Sequence, residues 1–394
     1  MTKEGYSFYE QLEARGVSRR DFMKFCGSTA ALLGLSSSMV PSIAAGLESK
    51  SGLTPALWIN GGACTGCSES MAQATYPNVA DVVLDLLSLN AMETVGMASG
   101  EYAEKSIEDM IEAHPGEFIL IVEGAAMTGL DGNTLRVAGK PFIETLKHVA
   151  ENAVAVVAVG SCAVDGGWVR AYPNPAGATG VSMYLKSVGV ETPVVNLPGC
   201  PVNPEEIVAV VVDVLLLSGL EGLVGKLDEY GRPKYLYGQT IHENCQRRGH
   251  FEAGHFVYEF GSAEEAQGYC LYAMGCRGPQ TFRRCGVIRW NNQSSWCVES
   301  GGPCIGCSAF NWVDNSTPFR ARARRVGQGM VGPNDGGWDP AIVGAVAGGA
   351  VAGALVLHGF GMKAAGRIGK NANLKTEEMK EYDKKRAKKQ GGGQ

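Results

Sequence analysis

The sequence predicts a doubly wound α/β domain, then an irregular cysteine-rich domain, then a single C-terminal apolar helix. Three observations carry that assignment. Five short apolar runs suited to buried parallel strands alternate with helical patterns between residues 56 and 217. Seven cysteines and His242 then fall within the 66 residues from His242 to Cys307. Finally, Pro340–Met362 is a run of 23 residues without a formal charge. With 394 residues, 45% of them hydrophobic, the chain is long enough to bury a core in each of two domains. Its net charge of −5 gives no reason to expect nucleic acid as a partner.

The N-terminal 45 residues read as a removable leader. Ser18-Arg19-Arg20-Asp21-Phe22-Met23-Lys24 precedes an uncharged 16-residue run from Phe25 to Val40 and the small residues Ser42-Ile43-Ala44-Ala45. This is the pattern of a twin-arginine export signal cut near Ala44 or Ala45, on a route that passes folded proteins.

Residues 46–229 then hold the α/β domain. Ala56-Leu57-Trp58-Ile59, Val82-Val83-Leu84, Phe118–Val122, Val154–Val159 and Val194–Leu197 read as strands, and segments around Ser68–Tyr76, Tyr102–Ala113, Pro141–Asn152, Val181–Val188 and Glu205–Leu217 as helices. The alternation predicts a parallel sheet of the flavodoxin-like type. No G-x-G-x-x-G or Walker loop follows any strand, so a nucleotide site has no support.

Ligands of such sheets collect beyond the carboxyl ends of the strands. There Cys64-Thr65-Gly66-Cys67, Cys162 and Cys200 follow three different strands, which brings four thiols to one rim. Further on stand His242-x2-Cys245, Cys270-x5-Cys276, Cys285, Cys297 and Cys304-x2-Cys307. A disulfide framework or zinc sites remain open from spacing alone. The count favours iron-sulfur chemistry. Of 12 cysteines, Cys26 lies in the leader, and the remaining eleven plus His242 give twelve ligands, enough for three four-iron clusters.

Six motifs make the reading specific. Cys64-Thr65-Gly66-Cys67-Ser68-Glu69-Ser70, Gly160-Ser161-Cys162-Ala163, Pro198-Gly199-Cys200-Pro201, His242-Glu243-Asn244-Cys245, Gly275-Cys276-Arg277-Gly278-Pro279 and Pro303-Cys304-Ile305-Gly306-Cys307 resemble those of nickel-iron hydrogenase small subunits, in the same order. The resemblance implies a heterodimer whose separate large subunit holds the nickel-iron centre, while this chain conducts electrons. It implies that Cys64, Cys67, Cys162 and Cys200 bind a proximal 4Fe-4S cluster. His242, Cys245, Cys270 and Cys276 would bind a distal 4Fe-4S cluster, and Cys285, Cys304 and Cys307 a medial one. At the position of Cys297 most of the family has proline and a 3Fe-4S cluster. A fourth thiolate there leads us to expect a medial 4Fe-4S cluster, or 3Fe-4S if Cys297 is not a ligand. Oxygen-tolerant relatives carry two extra cysteines where this chain has Gly66 and Gly167, so a conventional proximal cluster is expected.

Residues 230–331 show no periodicity and are expected to be an irregular domain stabilised by its medial and distal clusters. Glu69 and Glu123 are candidates to sit near the proximal site, against readings as a helix N-terminal acid and a solvated strand end. Arg277, Arg283 and Arg284 read either as charges beside clusters or as surface residues. Residues 340–362 are expected to span a membrane, with His358 inside the span, and the basic tail 363–394 to remain cytoplasmic. The catalytic head would then face the periplasm from the inner membrane. A cytochrome b or another quinone-linked membrane subunit is the expected acceptor. The alternative is a cluster-bearing subunit of another redox complex, since the quinone-reductase subunit of respiratory chains shares the proximal-cluster domain but lacks the second.

Overall fold

The structure is a computed structural model that describes residues 13, 18–49, 54–74, 87–92, 94, 96, 98–214, 219–315, 324–326, 329–331, 340–365 and 377–390. It divides into two compact units. One is Met1–Arg324 with Gly332–Asn334, and the other is Arg325–Val331 with Asp335–Gln394.

In the first unit, strands β1 (Thr54–Asn60), β2 (Leu87–Met92), β3 (Ile119–Glu123), β4 (Ala155–Val159) and β5 (Val194–Leu197) form one sheet in the order β2-β1-β3-β4-β5. Every neighbouring pair is parallel. This is the flavodoxin-like order, whose switch point lies between β1 and β3. The period of two along each strand sorts the side chains into two cores. Met92, Trp58, Ile121, Val157 and Val195 stand in register across the sheet and share one apolar cluster. Their neighbours Ala91, Leu57, Leu120, Val156 and Val194 form a row belonging to the other.

Helices cover both faces. Glu101–Ala113, Phe142–Asn152 and Val181–Ser187 place Met110, Ile111, Leu146, Val149 and Leu185 on the second cluster. Pro204–Val212 covers the first with Ile207, Val208 and Val211. It begins on a capping box, in which the Asn203 side chain accepts from Glu205 N–H and the Glu206 carboxylate accepts from Asn203 N–H. The expected strand at 82–84 lies outside the described residues, and the observed edge strand is β2.

Residues 18–49, expected above to belong to a leader, are folded onto this unit. Arg19–Leu32 is a helix that starts at Ser18 and leaves Arg19 and Arg20 exposed. Phe22, Phe25, Cys26 and Ala30, with Ile43 from helix Val40–Ser49, join the first apolar cluster. An amphipathic apolar face gains free energy by leaving water wherever a matching face is at hand, and Pro204–Val212 supplies one.

Beyond Tyr230 the long periodic elements of the first unit stop. Helical turns of three to five residues alternate with loops, among them Lys234–Tyr237, His242–Asn244, Leu271–Met274 and Cys285–Ile288. Their small apolar cluster is built from Ile241, Val257, Leu271, Met274, Trp296 and Val298 together with Cys285 and Cys304.

In the second unit Pro340–Ala364 is a 25-residue helix, followed by Glu377–Gln390. The expected helix therefore forms, and among the described residues no helix is long and apolar enough to cross a membrane.

Candidate metal centres

The carboxyl ends of β1, β3, β4 and β5 open on one rim. After β1 the backbone of Gly62 pairs with Ala125 beyond β3, across the switch point. Cys64 follows at the surface, and Thr65 takes a left-handed conformation (φ 60°) that starts the short helix Gly66–Ala72 and buries Cys67. Glu123 is the last residue of β3 and is 2% exposed. Its carboxylate accepts the backbone N–H groups of Cys67 at 2.9 Å and Ser68 at 3.0 Å, and also the Ser68 hydroxyl. It thus satisfies unpaired donors at the helix start. A solvated strand end is ruled out for Glu123, whereas Glu69 is exposed in the first helical turn.

β4 runs straight into the helix Gly160–Asp165, which carries Cys162. Gly160 has φ 88°, and a Cβ there would stand 2.4 Å from Cys67 Sγ, so glycine alone permits this approach. Gly66 and Gly167 are similarly confined: a Cβ would lie 3.1 Å from Cys64 Sγ at the first and 2.9 Å from Cys162 Sγ at the second. Cys200 closes the group, and Cys64, Cys67, Cys162 and Cys200 line one cavity with Glu123, Gly160 and Pro201. Burial raises the Cys162 thiol and pushes Cys200 up to about 12. It also holds Cys67 far above the usual thiol range, reinforced by the Glu123 charge.

A second cavity is lined by His242, Cys245, Cys270 and Cys276, with Leu271, Tyr272 and Pro279. His242 sits on a 3₁₀ turn with its ring edge-on to Phe251 at 4.6 Å. Burial, then the Arg248 charge, lowers its pKa, so the imidazole is neutral and keeps a lone pair for a metal. Gly275 (φ 92°) turns the chain between the Leu271–Met274 turn and Cys276. Burial pushes Cys270 up to about 12.

Cys285, Cys297, Cys304 and Cys307 form the third group of candidate donors. Cys285 and Cys304 are buried, and Cys307 is half-buried. Burial takes the Cys285 thiol up to about 12; Arg283 opposes this, while Cys307, Glu206 and Cys297 add to it. Cys297 is exposed as a residue, between buried Trp296 and Val298. Its thiol is nonetheless raised, first by burial and then by the charge of Cys307.

Two hydrogen-bonded links join the groups. The Ser161 hydroxyl donates to the Cys307 carbonyl and accepts Gly199 N–H at 2.9 Å, which ties the Cys162 and Cys200 loops to Cys307. Cys304 N–H donates to Cys276 Sγ at 3.3 Å.

The donor chemistry fits iron-sulfur clusters. Zinc gathers its donors around one point, and among the described residues no three His, Cys, Asp or Glu side chains converge that way. A cubane takes each thiolate on a different iron, so its donors surround a volume. The proximal and distal sets each surround a cavity, and the side-chain-free wall at Gly160 keeps the first one open. All twelve expected ligands are described: two sets of four line cavities, and Cys285, Cys297, Cys304 and Cys307 neighbour one another. Sequence reasoning missed the carboxylate of Glu123 as a loop anchor and a second anchor, Asp165, which accepts the N–H groups of Gly167 at 3.0 Å and Asn311 at 2.6 Å. An acid ending a buried strand was the available signal for the first.

Comparison with known proteins agrees with this architecture. Residues 237–320 match the family model for the C-terminal region of the NiFe/NiFeSe hydrogenase small subunit, and residues 64–214 match that of the NADH ubiquinone oxidoreductase 20 Kd subunit. The chain is 40% identical to the uptake hydrogenase small subunit of Azotobacter vinelandii over 352 residues, 89% of this chain and 94% of the relative. It is 41% identical to the periplasmic [NiFe] hydrogenase small subunit of Solidesulfovibrio fructosivorans, over 79% of this chain and 95% of the relative. Among solved structures, recombinant [NiFeSe] hydrogenase of Desulfovibrio vulgaris Hildenborough matches with a TM-score of 0.64 and 36% identity, over 68% of this chain and 98% of that one. With two cysteine-lined cavities on a flavodoxin-like rim and its irregular neighbour, and with identity of this extent, the chain belongs to the family of nickel-iron hydrogenase small subunits.

Proposed function

We propose that this chain is the electron conduit of a nickel-iron uptake hydrogenase, carrying electrons from hydrogen oxidised on the large subunit through three iron-sulfur clusters to a membrane acceptor. The observation that carries the reading is the ordered series of donor sets, linked from the Cys200 loop through Ser161 to Cys307 and from Cys304 to Cys276. Bound clusters would supply one-electron carriers. The rim cysteines Cys64, Cys67, Cys162 and Cys200 would hold the proximal cluster. Cys285, Cys297, Cys304 and Cys307 would hold the medial one, and His242, Cys245, Cys270 and Cys276 the distal one. Glu123 and Asp165 fix the proximal loops, while Trp296, Val298, Leu271 and Met274 keep water from the inner donors. A neutral imidazole in place of a thiolate would make the distal cluster less negative.

The rival reading, a subunit of another redox complex, accounts for the α/β domain alone and leaves the ligands from His242 to Cys307 unexplained. The domain limits follow from this reading: leader 1–45, proximal domain 46–229, medial and distal domain 230–331. Export by the twin-arginine route and a cytoplasmic basic tail after residues 340–362 rest on the sequence patterns at Arg19-Arg20 and in the tail.

Because this chain's cysteines are committed to iron, nickel belongs to the partner. The purified active enzyme should contain a second, larger chain bearing all the nickel, and hydrogen turnover by this chain alone would defeat the reading.

The medial assignment turns on Cys297. EPR and Mössbauer spectra of anaerobically purified enzyme should show no oxidised 3Fe-4S signal until Cys297→Pro is introduced. A full-intensity three-iron signal in the unmodified protein would contradict ligation by Cys297.

Topology can be read in spheroplasts. External protease should cut residues 46–331 and spare an epitope placed after Gln394, whereas protection of the cluster domains would refute the proposed orientation.

A further inference from the structure

Arg283 is fully buried between two of the proposed cluster loops. Its Nε and Nη2 donate to the two carboxylate oxygens of Glu206 at 2.9 and 2.7 Å, and neither side chain is more than 1% exposed. The outer edge of the guanidinium turns toward the thiols. Nη1 donates to Cys307 Sγ at 3.6 Å, and both terminal nitrogens approach the carbonyl of Pro201, the residue after Cys200, at 3.4 and 3.3 Å. Gly199 leaves the room for this, since a Cβ there would stand 2.6–2.7 Å from three guanidinium atoms. Trp290 packs near the cation at 5.5 Å.

A buried ion pair is poor evidence of a purely stabilising role, because desolvating both charges offsets much of their attraction. The orientation is informative here: the anion faces the capping box of Pro204–Val212, and the cation faces a thiol. A fixed positive charge in a low-dielectric site, donating to a ligand sulfur, favours the more negative state of whatever that sulfur binds.

We propose that Arg283 is a positioning residue for electron transfer: held by Glu206 against Cys307 and the Cys200-Pro201 loop, it raises the medial potential and so sets the step from proximal to medial carrier. This rests on the reading of Cys285, Cys297, Cys304 and Cys307 as medial ligands. Arg→Lys would keep the charge but lose the planar fork that contacts both partners at once.

The test is an EPR-monitored redox titration of the anaerobically purified heterodimer, comparing unmodified protein with Arg283→Gln and Glu206→Gln. In Arg283→Gln the medial reduced-to-oxidised ratio at a fixed ambient potential should fall about tenfold, equivalent to ~59 mV for one electron. In Glu206→Gln it should rise, since the opposing charge is gone. A structural role predicts the same direction for both, because each breaks the same pair. Should Arg283→Gln fail to assemble, the sign in Glu206→Gln decides: a rise supports the proposal, and a fall or no change overturns it. Unmodified protein without cluster signals would overturn the cluster reading itself, whereas signals with unmoved potentials in both variants would overturn this inference alone.

Discussion

A buried thiol cannot ionise without a cation beside it, and this chain buries thiols in quantity. Cys200, Cys270 and Cys285 are each pushed up to about 12 by burial, and Cys67 and Cys304 go well above the normal range. At neutral pH they stay protonated until a metal displaces the proton, so the free energy of cluster binding is also free energy of folding. Two regions of the first unit differ in how much they depend on it. The α/β domain has two apolar clusters of its own, on opposite faces of a five-stranded sheet. The stretch after residue 230 has short turns and a small cluster in which Cys285 and Cys304 are themselves members.

The parallel sheet suits the proximal donors for a geometric reason. Right-handed crossovers bring every strand out at the same edge, so loops far apart in sequence start from fixed neighbouring points. Short polar anchors then hold those loops without side chains that would fill the site. Glu123 holds the start of the Cys67 helix, Asp165 holds Gly167 and Asn311, and Ser161 joins Gly199 to Cys307. The same residues that shape the proximal cavity therefore fix its distance to the next donors, which an electron relay requires.

Most of the fold was legible because buried parallel strands are continuous apolar runs. Val194–Leu197 matches its reading residue for residue, and three others agree within two residues at either end. β2 escaped because Leu87-Ser88-Leu89-Asn90-Ala91-Met92 alternates, as an edge strand does. The candidate ligands stood out through their cysteine motifs and the family resemblance those carry, since spacing alone left disulfides and zinc open. What spacing could not convey was burial. In the sequence Glu123 and Arg283 stood open between a place beside a cluster and a solvated surface, and both are enclosed in the structure. The packing of the helix Arg19–Leu32 escaped for the same reason, because its apolar face becomes a core face only when Pro204–Val212 is set opposite it.

The central claim is that this chain stores and passes electrons on three clusters held by its own ligands. The most direct measurement is Mössbauer iron counting on the isolated heterodimer before and after exposure to hydrogen. The account predicts about twelve iron atoms in cubane environments on this chain, four for each set of four ligands, with all three populations reduced by hydrogen. Iron for fewer than three clusters, or a cluster population that hydrogen leaves oxidised, would contradict it.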